Sequence, residues 1–237
     1  MRSSLAEKVC VSILPRSIGE LGQLCERTLE LGARLVELRL DGLQESEIGG
    51  AARLAQDMSI KKIITLRPSW EGGLYAGDEQ KRLKLLASIS TDADYVDLES
   101  RAIEANPSLV EELRNVGVRV ISSKHYFGEA PSRVELRRVV MEGLEAADIV
   151  KVVNNPKRVS EAMNVLALYY EGSFRGRVIS FSIGERWCLT RVLSVLLGAP
   201  FTYASLPGQP VAPGQPSFPE TLEALEVFLK SWPSWQL

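Results

Sequence analysis

Two residues of this sequence combine chemical reactivity with apolar surroundings. His125 is the single histidine of the chain and lies near the end of the stretch VRVISSKHYF, at 118–127. Lys151 lies in ADIVKVVNN, between Ile-Val and Val-Val. A desolvated lysine amine that is neutral can attack a carbonyl carbon and form a Schiff base. A histidine can move protons near neutral pH, so the two residues together suggest carbonyl chemistry with proton transfer.

Eight short apolar or β-branched runs must position these residues. The runs begin 23 to 34 residues apart, and each is followed by a segment of helical periodicity. Ser17 and the pair Asn106-Pro107 are predicted helix starts, as a polar cap and as a cap followed by proline. The predicted strands are 9–14, 34–40, 61–67, 95–100, 118–123, 148–153, 177–183 and 201–206.

Strands that alternate with helices predict parallel pairing through βαβ crossovers. Eight such units in 237 residues predict an α/β fold, a single (β/α)8 TIM barrel with eight parallel strands, forming one catalytic domain over residues 1–237. The alternative is an open doubly wound sheet, but no GxGxxG turn follows the first run, which disfavours its dinucleotide-binding form. The segment LPGQPVAPGQPSFP, at 206–219, predicts a long loop after the eighth strand.

Ionisable residues occur at or near the C-terminal ends of predicted strands 2 to 6. Charges on one strand are often a solvated face of an antiparallel sheet, but both faces of a barrel strand are covered except at the mouth. Such charges need mutual pairing or a ligand, and barrel enzymes form their active sites at this end. We therefore predict a functional barrel mouth. The residues are Glu37, Arg39, Asp41, Arg67, Asp97, Glu99, His125 and Lys151.

Lys151 and His125 each also have an interpretation without chemistry. Alternation along strand 6 places Ile149, Lys151 and Val153 on one face, yet Lys151 could be a structural lysine paired with Glu or Asp of strands 2 or 4, or one extending to solvent. His125 could be a loop histidine with no task. One histidine cannot form a conventional multi-histidine zinc site. No GxSxG elbow is present either, which disfavours a serine hydrolase.

Composition restricts the partners and the compartment. The net charge of -2 argues against nucleic-acid binding, which usually requires a strongly basic domain. The three cysteines, Cys10, Cys25 and Cys188, are widely spaced and form no CxxC pair. We therefore expect neither a disulfide framework nor a metal site, and we expect the protein to work in a reducing cytoplasm. No apolar run has the length of a signal-peptide core or a membrane span, so no membrane association is expected.

Six segments in chain order resemble type I 3-dehydroquinate dehydratase: VELRLD, ITLRPSWEGG, SSKHYF, DIVKVV, the Thr-Arg pair at 190–191, and APGQ. The resemblance runs from Val9 to the region of Gln215. It implies a (β/α)8 barrel, commonly homodimeric, that eliminates water from 3-dehydroquinate to give 3-dehydroshikimate. This hydro-lyase reaction belongs to the shikimate pathway of chorismate and aromatic amino acid biosynthesis. The family uses neither a metal nor an organic cofactor.

The resemblance also implies roles for individual residues. Lys151 would form the Schiff base with the C3 ketone, and His125 would remove the C2 proton and protonate the leaving C1 hydroxyl in a syn elimination. Glu71 would orient His125 and favour its protonated form, because a nearby carboxylate raises the pKa of a histidine. Asp97 would support the lysine or the histidine from below. Arg191 would hold the substrate carboxylate. The other predicted substrate-binding residues are Ser12, Glu37, Arg39, Arg67 and Gln215.

Three residues depart from the family pattern. Tyr126 follows His125 where aspartate is usual, which questions the support that a carboxylate gives the histidine. Val211 precedes APGQ where many members have serine, so one hydroxyl contact is lost or is made by backbone. Trp187 stands where members often have a second glycine, and it fills either the pocket wall or the helix packing. We expect the 206–219 loop to close over the pocket with Gln215 at its tip.

Two other functions fit parts of this pattern. A class I aldolase is also a barrel with a Schiff-base lysine on strand 6, but it usually needs a phosphate site after strands 7 and 8. The loop after strand 7 here reads SIGERW, which is not a glycine-rich phosphate cradle. A non-catalytic sugar-acid binding protein would need the carboxylate clamp but neither Lys151 nor Glu71. Borohydride trapping of an imine distinguishes these alternatives.

Overall fold

A computed structural model describes residues 2–128 and 130–231, so residues 1, 129 and 232–237 of the predicted domain lie outside the described residues. Eight parallel strands form one sheet in the order β7-β6-β5-β4-β3-β2-β1-β8, and the sheet is nearly closed into a barrel surrounded by helices. The strands are β1 Val9–Ile13, β2 Leu35–Arg39, β3 Lys61–Thr65, β4 Tyr95–Glu99, β5 Arg119–Tyr126, β6 Ile149–Asn154, β7 Val178–Ser182 and β8 Thr202–Ser205.

All eight predicted strands are present, and the prediction of a (β/α)8 barrel is confirmed. The fifth strand is longer than predicted, because β5 continues to Tyr126 and pairs with β6 along six residues. His125 therefore lies on the strand itself and not in the loop that follows. In the described part of the chain no ladder joins β7 to β8, so the barrel has one open seam between these two strands.

The described residues contain ten α-helices, two more than the expected one per strand. One extra helix precedes β1, and two short helices follow β4 in place of one. Ser17 caps α2 as predicted, by accepting from the Glu20 amide. Pro107 begins α6, but the Asn106 side chain donates to the Ala102 carbonyl and does not cap that helix. The helices are α1 Arg2–Ala6, α2 Ile18–Glu30, α3 Glu45–Gln56, α4 Glu79–Ile89, α5 Ser100–Ala105, α6 Pro107–Asn115, α7 Arg133–Ala146, α8 Val159–Leu166, α9 Leu189–Leu197 and α10 Phe218–Ser231.

Side-chain alternation divides each strand between the barrel interior and the helical layer. On β6, Ile149 and Val153 pack into the interior cluster, whereas Val150 and Val152 pack against the helices. The predicted division of these residues between two faces is confirmed. Inward residues near the start of most strands are apolar and close the base of the barrel. On most strands the next inward residue is polar, which places a largely polar layer above an apolar floor. The floor includes Cys10, Leu35, Ile63, Tyr95, Ile121, Ile149, Ile179 and Phe201.

Candidate active site

A cavity opens at the C-terminal ends of the strands. All nine residues predicted as catalytic or substrate-binding line this cavity, although six different strands or strand-end loops and helix α9 contribute them. The structure therefore brings the predicted site together in one place. The nine residues are Ser12, Glu37, Arg39, Arg67, Glu71, His125, Lys151, Arg191 and Gln215.

Lys151 lies deep in the cavity and is 4% exposed. Its Nζ donates to Asp97 Oδ2, lies 3.8 Å from Glu37 Oε1, and lies 4.6 Å from the ring centroid of Tyr203. The alternative of a lysine paired with carboxylates of strands 2 and 4 thus describes a real contact. The same amine also faces the cavity, so the pairing and a chemical role are compatible.

Asp97 is fully buried and holds two cations and a hydroxyl. Its Oδ1 accepts from Arg67 Nη2 and from Ser123 Oγ, each at 2.6 Å, and its Oδ2 accepts from Lys151. Burial opposes ionisation, but the attraction of Arg67 and Lys151 outweighs it and holds the pKa of Asp97 below its usual range. Asp97 therefore stays a carboxylate and contacts the lysine, not the histidine.

Glu37 forms a second buried carboxylate beside the lysine. Its Oε2 accepts from Ser12 Oγ at 2.7 Å, and its Oε1 accepts from Thr65 Oγ1 at 3.0 Å. Ser12 stands directly opposite Glu37 in the β1–β2 register, which explains their contact. These neutral donors fix the carboxylate while leaving its charge available to the pocket.

His125 lies on the same inward face as the lysine but nearer the mouth. In the β5–β6 register Ser123 is opposite Lys151 and His125 is opposite Val153, so the histidine is one side-chain repeat higher, about 6.6 Å along the strand. Glu71 Oε1 accepts from the His125 backbone N–H at 2.9 Å and lies 3.0 Å from its Nδ1. Because this oxygen already acts as an acceptor, we assign the ring proton to Nδ1, which leaves Nε2 as the basic nitrogen.

The pKa of His125 moves in the opposite direction to the one expected from Glu71 alone. Burial and the nearby cations Arg67 and Lys151 lower the pKa of His125 well below its ordinary value. Burial also raises the pKa of Glu71 to about 7, against the attraction of Arg67, so this carboxyl is itself partly protonated near neutral pH. His125 is consequently neutral at pH 7 and is ready to accept a proton.

The loop that carries Glu71 is fixed by a close packing contact. Ser69–Glu71 form a 3-10 turn, and Gly72 ends it with a positive φ of 76°. A Cβ on Gly72 would lie 2.4 Å from the Phe127 ring, so only glycine allows the two loops to meet. The Phe127 ring in turn lies parallel to His125, with centroids 6.1 Å apart.

Arg191 enters the cavity at the open seam of the barrel. It lies on α9, is 2% exposed, and its guanidinium carbon is 4.0 Å from the Phe181 ring centroid on β7. Its Nη1 donates to the Tyr203 carbonyl of β8 at 3.4 Å, and its Nε has no hydrogen-bond partner among the described residues. Burial lowers the pKa of Arg191 to about 10, against the attraction of Glu37. A buried cation with unused donors is suited to an anionic ligand.

The two other arginines of the site are more fully engaged. Arg39 forms a bidentate pair with Asp41, both contacts being 2.7 Å. Arg67 Nη1 donates to Glu99 Oε1 at 2.6 Å and to Ser123 Oγ at 2.7 Å, while its Nη2 contacts Asp97. Both line the cavity, but their pairing shows that they also organise its wall. Their roles as substrate contacts stay predictions.

The loop after β8 covers the cavity from the side. Val211, Ala212, Pro213 and Gln215 line the cavity, and the Val211 amide donates to Gln215 Oε1 at 2.9 Å. This contact orients the side-chain amide of Gln215 so that its NH₂ group is left for a ligand. Gly214 has a φ of 66°, and a Cβ there would lie 2.2 Å from Gly184 on the β7 loop. The glycine of APGQ thus allows two loops to meet.

Two of the three departures from the family pattern lie away from the cavity lining. The Tyr126 side chain packs against the helical cluster that contains Val139 and Val165, on the opposite face of β5 from His125. Trp187 Nε1 donates to the Pro156 carbonyl at 2.8 Å, which ties the β7 loop to the β6 loop. Trp187 therefore serves loop packing and not the pocket wall.

Sequence reasoning missed several residues of the site. Ser123, Thr65 and Tyr203 contact the predicted residues directly, and Phe181 supports Arg191. Ser123 could have been found, because it stands two residues before His125 on the same strand face. Phe181 could not have been found, because Arg191, the residue it contacts, comes from a helix.

The fold and the site together define a (β/α)8-barrel enzyme whose cavity combines a buried lysine, a carboxylate-paired histidine and an arginine with free donors. The model of the type I 3-dehydroquinase family matches residues 9–231, and the chain belongs to that family. The resemblance seen in the sequence is thus confirmed, and the two alternative functions are set aside.

Similar proteins agree with this assignment. The 3-dehydroquinate dehydratase of Methanothermobacter thermautotrophicus is 34% identical over 208 residues, covering 88% of this chain and 91% of the relative. That of Methanopyrus kandleri is 34% identical over 221 residues, covering 92% and 99%. The type I enzyme of Clostridium difficile, solved with covalently modified comenic acid, superposes with a TM-score of 0.86 at 22% identity, covering 95% and 93% of the two chains.

Proposed function

We propose that this chain is a 3-dehydroquinate dehydratase that works through a Schiff base on Lys151. Membership of the type I 3-dehydroquinase family over residues 9–231 supports the substrate and the hydro-lyase reaction. The observation that carries the mechanism is the placement of the Lys151 amine and the His125 ring on one face of one cavity. The proposal treats residues 1–237 as one catalytic domain.

The reaction begins at the substrate ketone. Lys151 first gives its ammonium proton to the neutral His125 ring, and the resulting amine adds to C3. The carbinolamine then loses its hydroxyl as water, with the proton returned by His125, to give a protonated imine. This positive nitrogen withdraws electrons and acidifies the C2 hydrogen. Asp97 and Glu37 hold the lysine at the cavity floor and balance the charge of the iminium.

His125 then performs both proton transfers of the elimination. Its neutral imidazole takes the C2 proton, and the electrons of that bond move into an enamine. The enamine expels the C1 hydroxyl, which takes the proton back from His125 and leaves as water. Hydrolysis of the imine consumes the water released earlier and frees Lys151, so one water is lost overall. Glu71 stabilises the transient imidazolium through Nδ1.

The substrate carboxylate binds at Arg191 in this proposal. The guanidinium is buried and has unused donors, so a carboxylate would supply the counter-charge that the described residues leave partly unmet. We expect Gln215, Arg39 and Ser12 to contact substrate hydroxyl groups, because they line the same cavity.

Borohydride reduction tests the proposal. 3-Dehydroquinate with borohydride should leave a mass increase on the peptide that contains Lys151, because reduction converts the imine into a stable amine. Lys151→Met is the matched control and should remain unmodified and inactive. An unmodified mass for the unaltered chain would contradict the Schiff base.

We further propose that the chain acts as a homodimer, as its family resemblance implies, and that it works in the cytoplasm, as its cysteine pattern suggests. Cys10 and Cys25 are buried free thiols, as a reducing compartment allows. In the part of the chain that the structure describes, no helix is long and apolar enough to cross a bilayer. Light scattering should give twice the chain mass of 26.2 kDa, and the single chain mass would contradict the dimer.

A further inference from the structure

A buried arginine outside the cavity joins the charges of the site to the helical layer. Arg82 lies on α4, is 0% exposed, and does not line the cavity. Its Nη2 donates to Glu99 Oε2 and to Glu79 Oε1, each at 2.7 Å, and its Nη1 donates to the Leu66 carbonyl at 2.7 Å. Removing a guanidinium from water is costly unless it is paired. The buried Arg82 side chain therefore depends on these acceptors and in turn fixes their positions.

Glu99 connects Arg82 to the charged residues beside Lys151. One of its oxygens binds Arg82, and the other accepts from Arg67 Nη1 at 2.6 Å. Arg67 Nη2 binds one oxygen of Asp97 at 2.6 Å, and the other oxygen of Asp97 binds Lys151. Four ion pairs therefore connect Arg82 on the outer helix with the lysine amine.

We propose that Arg82 is a positioning residue for Lys151, acting through Glu99, Arg67 and Asp97. The inference rests on the proposed role of Lys151. Each carboxylate in this series of ion pairs binds one cation per oxygen, so losing Arg82 frees one oxygen of Glu99. The freed carboxylate can rotate, which loosens Arg67 and the Asp97 contact that sets the direction of the amine.

The Leu66 contact supports the same role. Leu66 immediately precedes Arg67, and the hydrogen bond from Arg82 fixes the chain just after β3 ends. Arg82 thus holds Arg67 twice, once through the backbone beside it and once through Glu99. An error of about 1 Å in a reacting group can cost about 100-fold in rate, so this support matters for turnover.

Arg82→Met tests the proposal by steady-state kinetics. We expect kcat to fall about 10- to 100-fold while KM stays within about threefold, because Arg82 does not touch the pocket. Arg82→Lys should recover part of kcat. Glu79→Gln is the matched control, because the Glu79 side chain is 37% exposed and lies off the path to Lys151, so kcat should stay unchanged. Unchanged kcat in Arg82→Met, or an equal loss in Glu79→Gln, would overturn the proposal.

A double-mutant cycle tests the route and does not need the methionine variant to fold. Arg82→Lys combined with Glu99→Gln should have a kcat no lower than Glu99→Gln alone, because both cut the same link. Losses that multiply would overturn the route through Glu99.

A turnover-independent measurement separates this inference from the proposed function. Acetic anhydride labelling, read by peptide mass spectrometry, should change in rate at Lys151 by at least about threefold in Arg82→Lys, with exposed Lys157 as the reference. An unchanged labelling ratio would overturn the positioning role. Failure of the unaltered chain to dehydrate 3-dehydroquinate would instead reject the proposed function.

Discussion

A single oxygen of Glu71 holds His125 at two points, accepting from its backbone N–H at 2.9 Å and lying 3.0 Å from its Nδ1. The backbone contact fixes the strand, and the ring contact fixes the imidazole plane. Because β5 extends to Tyr126, the histidine is also held by the β5–β6 ladder. Its Nε2 is thereby directed to the cavity that contains Lys151.

His125→Ala should lower turnover by about 10²- to 10⁴-fold, because no other imidazole can replace its proton transfers. Imine formation is expected to survive, so borohydride should still modify Lys151. Stopped-flow and steady-state kinetics measure the first effect, and peptide mass spectrometry measures the second. Turnover near that of the unaltered chain would remove His125 from the mechanism.

The pKa of Glu71 predicts an unusual pH dependence of stability. The folded carboxyl has a pKa of about 7, whereas its ordinary value is 4.5. Between these values the folded state binds more protons than the unfolded state, so this group's contribution to the free energy of unfolding falls as pH rises. Glu71→Gln should therefore gain stability relative to the unaltered chain over this window, measured by thermal unfolding.

The variant His125→Gln tests a pH dependence of stability that has the opposite sign. The pKa of folded His125 lies below its ordinary 6.5, so the unfolded state binds more protons just under that pH. The unaltered chain then loses stability on acidification below 6.5, and His125→Gln should lose less. Equal pH profiles for all three proteins would show that neither group titrates as the site geometry requires.

Asp97→Asn should reduce the free energy of unfolding by about 3–5 kcal/mol, because it leaves the buried cations Arg67 and Lys151 without their shared counter-charge. Urea unfolding at neutral pH measures the loss. The folded pKa of Asp97 is depressed, so the difference should narrow as pH falls below the ordinary value of 3.8. Glu142→Gln removes an exposed pair with Arg138 and should cost at most about 0.5 kcal/mol.

Strand patterns carried most of the information that predicted this site. Apolar alternation on β6 placed Lys151 on one face with Ile149 and Val153, and charges at the ends of five consecutive strands located the mouth. These inferences succeed because the period of two and the parallel register are local properties of the strands. The end of β5 was placed too early because SKHY has no apolar pattern, although its backbone pairs with β6.

Contacts that depend on packing between distant segments could not be predicted in this way. Arg191 comes from a helix and reaches the cavity through the seam between β7 and β8, which no strand pattern reveals. Arg82 reads as an ordinary helix arginine until its contact with Glu99 is seen. The predicted direction of the His125 pKa shift was wrong, because the prediction considered one carboxylate and omitted burial and two nearby cations.

Arg191→Lys should raise KM about 10- to 100-fold while kcat stays within about threefold, because lysine keeps the charge but loses the planar two-pronged donor. Steady-state kinetics measure both constants. An inhibitor without a carboxylate is the control and should bind both proteins equally. A lower kcat at unchanged KM would place Arg191 in the chemical step and not in carboxylate binding.

Val211→Ser should raise kcat/KM about 2- to 10-fold, the value of one added hydrogen bond from a hydroxyl at the cavity wall. The substitution spares the contact that orients Gln215, because that contact uses the backbone amide of residue 211. Val211→Ala is the matched control, since it removes the same methyl groups without adding a donor, and its kcat/KM should not rise. Equal values for the serine and alanine variants would show that the backbone alone serves the substrate at this position.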